Sequence, residues 1–214
     1  MQMTNEERFH NQIGDEYDLF QLASPHHDEL QNSVGSVIRD RFGTSKQTEI
    51  QILEIGFGTG ITSKVILNSD QRVNLVGVDN EPLMFSKARH ALNGLTARYN
   101  LQVKDALEFL STQPDNSFDA VASAFVIHNF TVGYRGDVFK EILRVLKPNG
   151  IFINADKIVA NDPIEHEANF KWQLSQFDVF DKIGKPELKI EWTQHYVEDE
   201  KPDRILIEND FQEC

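Results

Sequence analysis

The stretch Ile52-Leu53-Glu54-Ile55-Gly56-Phe57-Gly58-Thr59-Gly60 decides the fold. Three apolar residues, Ile52, Leu53 and Ile55, flank one acid, and glycine then recurs at 56, 58 and 60. An apolar run that stops in glycines reads as a buried strand that turns sharply and restarts as a helix. Glycine accepts positive φ and lets a ligand approach the backbone, so the loop predicts a nucleotide cradle at the carboxyl end of the strand. NAD, FAD and S-adenosylmethionine all use such turns. A dinucleotide loop follows GxGxxG, whose third glycine allows close helix–strand packing. Counted from Gly56, that third place is Ile61. The GxGxG pattern after Glu54 suits an adenosine bearing an amino-acid tail better than a pyrophosphate.

Outward from this stretch, strands and helices alternate. Strands are expected at 50–55, 72–78, 100–103, 118–124 and 151–155. Helices are expected at 59–68, 81–92, 106–110 and 132–146, the second opening on Pro82 and closing on Asn93-Gly94. Lys147-Pro148-Asn149-Gly150 is turn chemistry. Regular alternation implies an α/β fold: a doubly wound, mainly parallel sheet with helices on both faces, and a ligand beyond the carboxyl ends of its strands. Ahead of this core, residues 4–10 predict a short helix, and Ile13 to Leu22 and Asp28 to Phe42 carry helical periodicity on either side of Pro25. Behind it, residues 165–182 and 187–200 predict helices, and residues 202–211 a last helix or strand. The chain therefore reads as a single domain, 1–214, with a helical lid at 1–48, a core at 49–156 and a helical region at 157–214.

Composition narrows the partners. The formal net charge is −13, which opposes phosphate backbones and anionic lipid, so neither nucleic acid nor membrane is expected as a partner. The one cysteine, Cys214, leaves no intramolecular disulfide, and the polar N-terminus lacks a signal-like apolar run. A cytoplasmic protein is the expectation. The seven histidines are scattered, and His26-His27 would point to different sides of a helix, so no metal is expected.

Four strand ends carry the candidate residues. Asp79, nineteen residues past Gly60, is placed to accept from both ribose hydroxyls, with Asn80 beside it; the bland reading is a helix cap. Asp105-Ala106 has the acid and backbone amide to read an adenine edge, and Asp105 is equally an N-cap. Ala124 lets the chain pass close to a ligand, and Phe125, with Leu83, supplies apolar walls. His128 is the candidate general base, with a substrate-shaping or structural histidine as the alternative. Glu54 would orient the loop or meet an amino group, and Asp156 would line the acceptor site.

Together these places resemble the class I S-adenosylmethionine-dependent methyltransferases. LEIGFGTG, VGVDNEPLM, VKDAL, FDAVASAFVIHNF and LRVLKPNGIFINAD match five motifs in order, over Gln51 to Asp156. The fourth is similar to a small-molecule group with Ser-Ala-x-x-Ile-His-His-Leu, although Asn129 and Phe130 replace its second His and its Leu. The resemblance implies in-line methyl transfer from S-adenosylmethionine to a small molecule. It also implies that Tyr17, in Tyr17-Asp18, helps to close the cofactor site. No Asn/Asp-Pro-Pro-Tyr/Phe stretch follows strand four, which fits a small-molecule acceptor. Family members continue into an antiparallel strand pair that this sequence lacks, so strand five is expected to keep an open edge, a place for a homodimer. Other classes stay open: a non-catalytic cofactor-binding or scaffold subunit, a synthase that modifies the cofactor through Arg135 or Arg8, and a nicotinamide-dependent oxidoreductase, which the displaced glycine opposes.

Overall fold

The computed structural model describes residue 13, residues 16–95 and residues 98–207. The expected helix at 4–10, together with Arg8, lies outside them, as do residues 208–214. The chain divides into two compact units. One comprises residues 29–127 and 133–156, and the other residues 1–28, 128–132 and 157–214.

The first unit is built on a five-stranded sheet, all parallel, in the order β3-β2-β1-β4-β5. Its strands are β1 (Ile50–Ile55), β2 (Val73–Asp79), β3 (Tyr99–Val103), β4 (Phe118–Ala124) and β5 (Leu146–Ala155). Its helices are α1 (His27–Phe42), α2 (Ile61–Ser69), α3 (Pro82–Ala91), α4 (Ala106–Ser111) and α5 (Val132–Val145). β1 and β4 are central, and six of the seven residues of β4 are buried. Strands covered on both faces read as continuous apolar runs, and Ile52, Leu53, Val121 and Ala122 reach zero exposure accordingly. From β1 the chain winds outward through β2 to β3, then crosses back to β4 and β5 on the other side. Right-handed crossovers therefore put α2 and α3 on one face and α4 and α5 on the other. α1 joins the first group: a Cβ on its Gly35 would stand 2.6 Å from Val65 of α2, so glycine permits that approach.

One expectation changes here. Lys147 to Gly150 is not a turn outside the strand. It lies within the ten residues of β5, where the register slips between Phe118↔Leu146 and Ala120↔Ile151 and Asn149 takes φ 65°. The turn residues are absorbed as a bulge. Residues 43–49, before β1, form a polar loop. Arg72 donates to the carbonyls of Phe42, Ser45 and Gln47 while pairing with Asp70, and these bonds pin the loop to the start of β2.

The second unit carries a 3-10 turn, Tyr17–Ala23, and helices α6 (Pro163–Gln176), α7 (Asp178–Lys182) and α8 (Pro186–Asp199). α6 starts as its sequence dictates, with Pro163 in the first turn and Asp162 accepting from the amides of Ile164 and Glu165. The single helix expected at 165–182 is broken at Phe177, whose ring stacks on Phe180 at 6.2 Å between centroids. Both rings are fully buried in a core with Ile13, Ala23, Leu188 and Trp192. Phe177, Phe180 and Trp192 thus serve packing. Residues 202–207 form a turn and one bridge to Val159, not a helix. No helix among the described residues is long and apolar enough to cross a membrane.

Candidate functional site

The three glycines of the decisive loop all take positive φ: 72° at Gly56, 49° at Gly58 and 86° at Gly60. Their surroundings differ. A Cβ on Gly56 would lie 2.2 Å from Val126 Cγ2, and one on Gly60 would lie 2.9 Å from the Cα of Ala88 in α3. Those two glycines admit other parts of the protein. At Gly58 no atom lies within 4 Å of the same point, so this is the glycine that opens onto space. The glycine expected at 61 for helix packing is supplied one place earlier, by Gly60.

Asp79, the last residue of β2, reaches back to this loop. Its Oδ2 accepts from the Gly58 amide at 2.8 Å and its Oδ1 from the Glu81 amide at 2.9 Å. Burial pushes its carboxyl up to about 6 against the lowering effect of those two bonds. Asp79 therefore orders both the glycine loop and the start of α3, while each oxygen keeps lone-pair capacity for a ligand. Asn80 is exposed at the same strand end, and Leu83, on the first turn of α3, is 41% exposed.

Glu54 lies on β1 with no exposed surface. Its Oε2 accepts from the Ser63 hydroxyl at 2.5 Å, whereas its Oε1 has no hydrogen-bond partner. Burial pushes this carboxyl up to about 8; the Ser63 bond lowers it and the charge of Asp79 raises it further. Two neighbours repeat the pattern. Ser123 on β4 and Asn154 on β5 are register partners, and the Ser123 hydroxyl and the Asn154 amide are buried without partners. Unpartnered buried polar atoms thus gather near the carboxyl ends of three adjacent strands, where a doubly wound sheet binds ligands. The only mark of Asn154 in the sequence is a lone amide in an apolar strand.

At the end of β3, Asp105 caps α4, with Oδ1 accepting from the Glu108 amide at 3.0 Å. Its Oδ2 accepts from the Tyr134 hydroxyl at 2.7 Å, and that hydroxyl accepts from the Leu107 amide at 3.1 Å. Burial raises the Tyr134 phenol, so it stays a neutral donor. Nothing local in the chain points to Tyr134, because its partner stands 29 residues away. Ala106 is half-buried beside Asp105. Ala124 and Phe125 are also half-buried, and Phe125 takes φ 58° while donating its amide to Ala155 O at 3.0 Å. A left-handed aromatic residue at a strand end is strained, and such strain gathers at functional sites.

Tyr17 and His128 belong to the other unit. Tyr17 rests on Trp192, with 5.8 Å between ring centroids. His128 follows β4 in a 3-10 turn, Ile127–Asn129. Its Nε2 lies 3.6 Å from Asp199 Oδ2, and His195 Nε2 lies 3.9 Å from the same oxygen. His195 and Asp199 are one turn apart on α8, so four-residue spacing brings them to one face. Histidines scattered in sequence are therefore grouped in space.

A methyltransferase-domain family profile matches residues 52–150. A demethylmenaquinone methyltransferase from Lactobacillus johnsonii is 28% identical over 80% of this chain and 70% of its own. A carboxy-S-adenosyl-L-methionine synthase from Campylobacter fetus is 26% identical over 77% of this chain and 70% of its own. Among solved structures, a Methanococcus maripaludis protein described as an S-adenosylmethionine-dependent methyltransferase superposes with a TM-score of 0.58. At 17% identity, over 93% of this chain and 88% of its own, it supports the fold alone. Motif order, strand order and these matches agree: residues 52–150 are similar to a methyltransferase domain and carry its doubly wound parallel sheet.

Proposed function

We propose that the protein methylates a small-molecule acceptor, with S-adenosylmethionine seated at the carboxyl ends of β1 and β2. When bound, that cofactor supplies an electrophilic methyl on a sulfonium, which an acceptor lone pair or carbanion displaces in line, releasing the thioether. The observation that carries this reading is the pairing of an open Gly58 with a buried Glu54 whose Oε1 is unpartnered. An ammonium group would satisfy that oxygen and favour the ionised carboxyl. Gly56, Gly58 and Gly60 shape the loop for the amino-acid tail. Asp79 accepts from the ribose, beside Asn80. Asp105, held by Tyr134, and the Ala106 amide read the adenine. Leu83, Ala124 and Phe125 line the apolar faces.

Asp156, at the end of β5, lines the acceptor side. Such sites work mainly by alignment and exclusion of water. A net charge of −13 disfavours nucleic acid as the acceptor. A cytoplasmic location fits the single cysteine. A homodimer fits β5, which pairs only with β4 among the described residues.

A second reading has one observation in its favour. The Campylobacter relative is named as a synthase of a carboxylated cofactor, and Arg135, on α5, is 4% exposed. A buried cation of that kind suits an anionic co-substrate. Titration calorimetry with S-adenosylhomocysteine and with NAD tests the cofactor assignment, and NAD binding without homocysteine-nucleoside binding would sink it. Label from methyl-labelled S-adenosylmethionine, followed into a metabolite panel, separates the two readings. Label in an acceptor supports methyl transfer, and label retained in a carboxylated cofactor supports the synthase.

A further inference from the structure

We propose that His128, His195 and Asp199 form a binding site for one divalent transition-metal ion of the zinc type. The three candidate ligand atoms lie within 4.8 Å of one another. Both imidazoles face a single carboxylate oxygen, Asp199 Oδ2, at 3.6 and 3.9 Å. Those separations exceed the 2.7–3.2 Å or so of a hydrogen bond, so neither imidazole bonds directly to that oxygen. They approach the ~3.3 Å that separates two ligand atoms around a tetrahedral ion with bonds of roughly 2.0–2.1 Å. The three atoms, all within 4.8 Å of one another, draw together to complete the arrangement.

Burial points the same way. The side chains of His128, His195 and Asp199 are 12%, 7% and 3% exposed. Side chains this shielded keep a bound ion away from bulk water. The donor set selects the class of ion: two imidazole nitrogens and one carboxylate suit zinc, iron(II) or cobalt(II), whereas magnesium and calcium prefer oxygen.

The scaffold presents the ligands from two separate elements. His195 and Asp199 stand one turn apart on α8, and His128 comes from the 3-10 turn after β4. The neighbours fix the frame. The His195 ring sits edge-on to Trp192 at 5.4 Å. Glu200, the next residue, holds Lys157 at 2.6 Å and His166 at 2.5 Å, so it is committed elsewhere. Three protein ligands leave one coordination position for water or a ligand oxygen, the pattern of a metal site that binds a substrate group. An imidazole nitrogen has one lone pair, so His128 cannot bind the ion and accept a proton through Nε2 at the same time. This inference does not rest on the cofactor assignment.

The test is titration calorimetry of the full chain with zinc chloride after removal of bound metal by a chelator. One equivalent should bind. His128→Asn, His195→Ala and Asp199→Asn should each weaken binding by at least tenfold, with far-UV circular dichroism unchanged. His166→Asn, outside the group, should bind within twofold of the parent. Because a buried variant can fail to fold, X-ray absorption of the cobalt-loaded parent supplies a second readout, and two imidazole ligands are expected. Zinc affinity equal in the parent and all three folded variants, or fewer than two imidazoles on cobalt, overturns the site.

Discussion

Glu54→Gln tests the electrostatics of the glycine loop without altering its shape. Burial holds the Glu54 carboxyl at about 8, against an ordinary value of 4.5. The native state therefore keeps a proton that the unfolded chain has already lost by neutral pH. Stability from the neutral form is full below about pH 4.5 and is lost as pH rises to about 8. Every pH unit between those two values corresponds to about 1.4 kcal/mol, so the whole window is worth of order 5 kcal/mol. Asp79, pushed up to about 6, drains stability in the same direction but over a lower window. Between pH 6 and 8 the Glu54 share is about 2–3 kcal/mol. Glutamine resembles the neutral acid and does not titrate, and its carbonyl can still accept from Ser63. Urea unfolding of the parent and the variant, at half-unit steps from pH 5 to 8.5, gives two stability curves. Their difference cancels the titrations of groups that Glu54 does not touch. The variant should gain on the parent by about 2–3 kcal/mol from pH 6 to 8. A flat difference curve, or a variant that loses ground as pH rises, would refute the assignment of a neutral Glu54.

The glycines should separate fold from binding. Gly56→Ala drives a Cβ into Val126 at positive φ and should cost about 2–5 kcal/mol. Gly58→Ala meets no atom within 4 Å and should cost only about 1–2 kcal/mol. It should nevertheless weaken S-adenosylhomocysteine binding more than tenfold, and thermal melts with calorimetry read both effects. The parent's affinity for S-adenosylhomocysteine should weaken as pH falls through about 6, where Asp79 takes up its proton, and Asp79→Asn should be weaker throughout and lack that step. Tyr134→Phe removes the hydroxyl between Asp105 and the Leu107 amide, and should cost about 1 kcal/mol in urea unfolding.

The strand–helix order was legible because each buried strand is a short apolar run with a clear stop. The expected ligand class followed from the spacing at Gly56, Gly58 and Gly60, and the resemblance to a family from five motifs in order. Legibility failed where a residue acts through a distant partner. The Tyr134 hydroxyl meets Asp105 across 29 positions, and Asn154 meets Ser123 only through sheet register. The bulge in β5 was misread because Pro148, Asn149 and Gly150 carry turn signals whether the turn ends a strand or interrupts one. The division of labour among the glycines was hidden for the same reason: positive φ is a local property, but what approaches each glycine is set by Val126 and Ala88. His195 and Asp199 share a helix face that periodicity reveals, yet nothing local ties that face to His128.

Spacing and charge give independent arguments about the ligand of the glycine loop, and they agree. A dinucleotide brings a pyrophosphate, two negative charges, to the helix start after the loop. Here that approach is bordered by Glu54 and Asp79, two carboxyls close enough that the charge of one raises the pKa of the other. An anion would raise both further and hold them neutral against bulk pH. A ligand carrying an ammonium does the opposite. It offers a partner to Glu54 Oε1, and its charge lowers the cost of ionising both acids. The repulsion built into the ligand-free loop is thus relieved by a cationic amino-acid tail and worsened by a pyrophosphate. Replacement of the third dinucleotide glycine by Ile61 argues from shape alone. The acids argue from electrostatics and reach the same ligand class, so a substitution that restored glycine at 61 would not by itself convert the loop to dinucleotide binding.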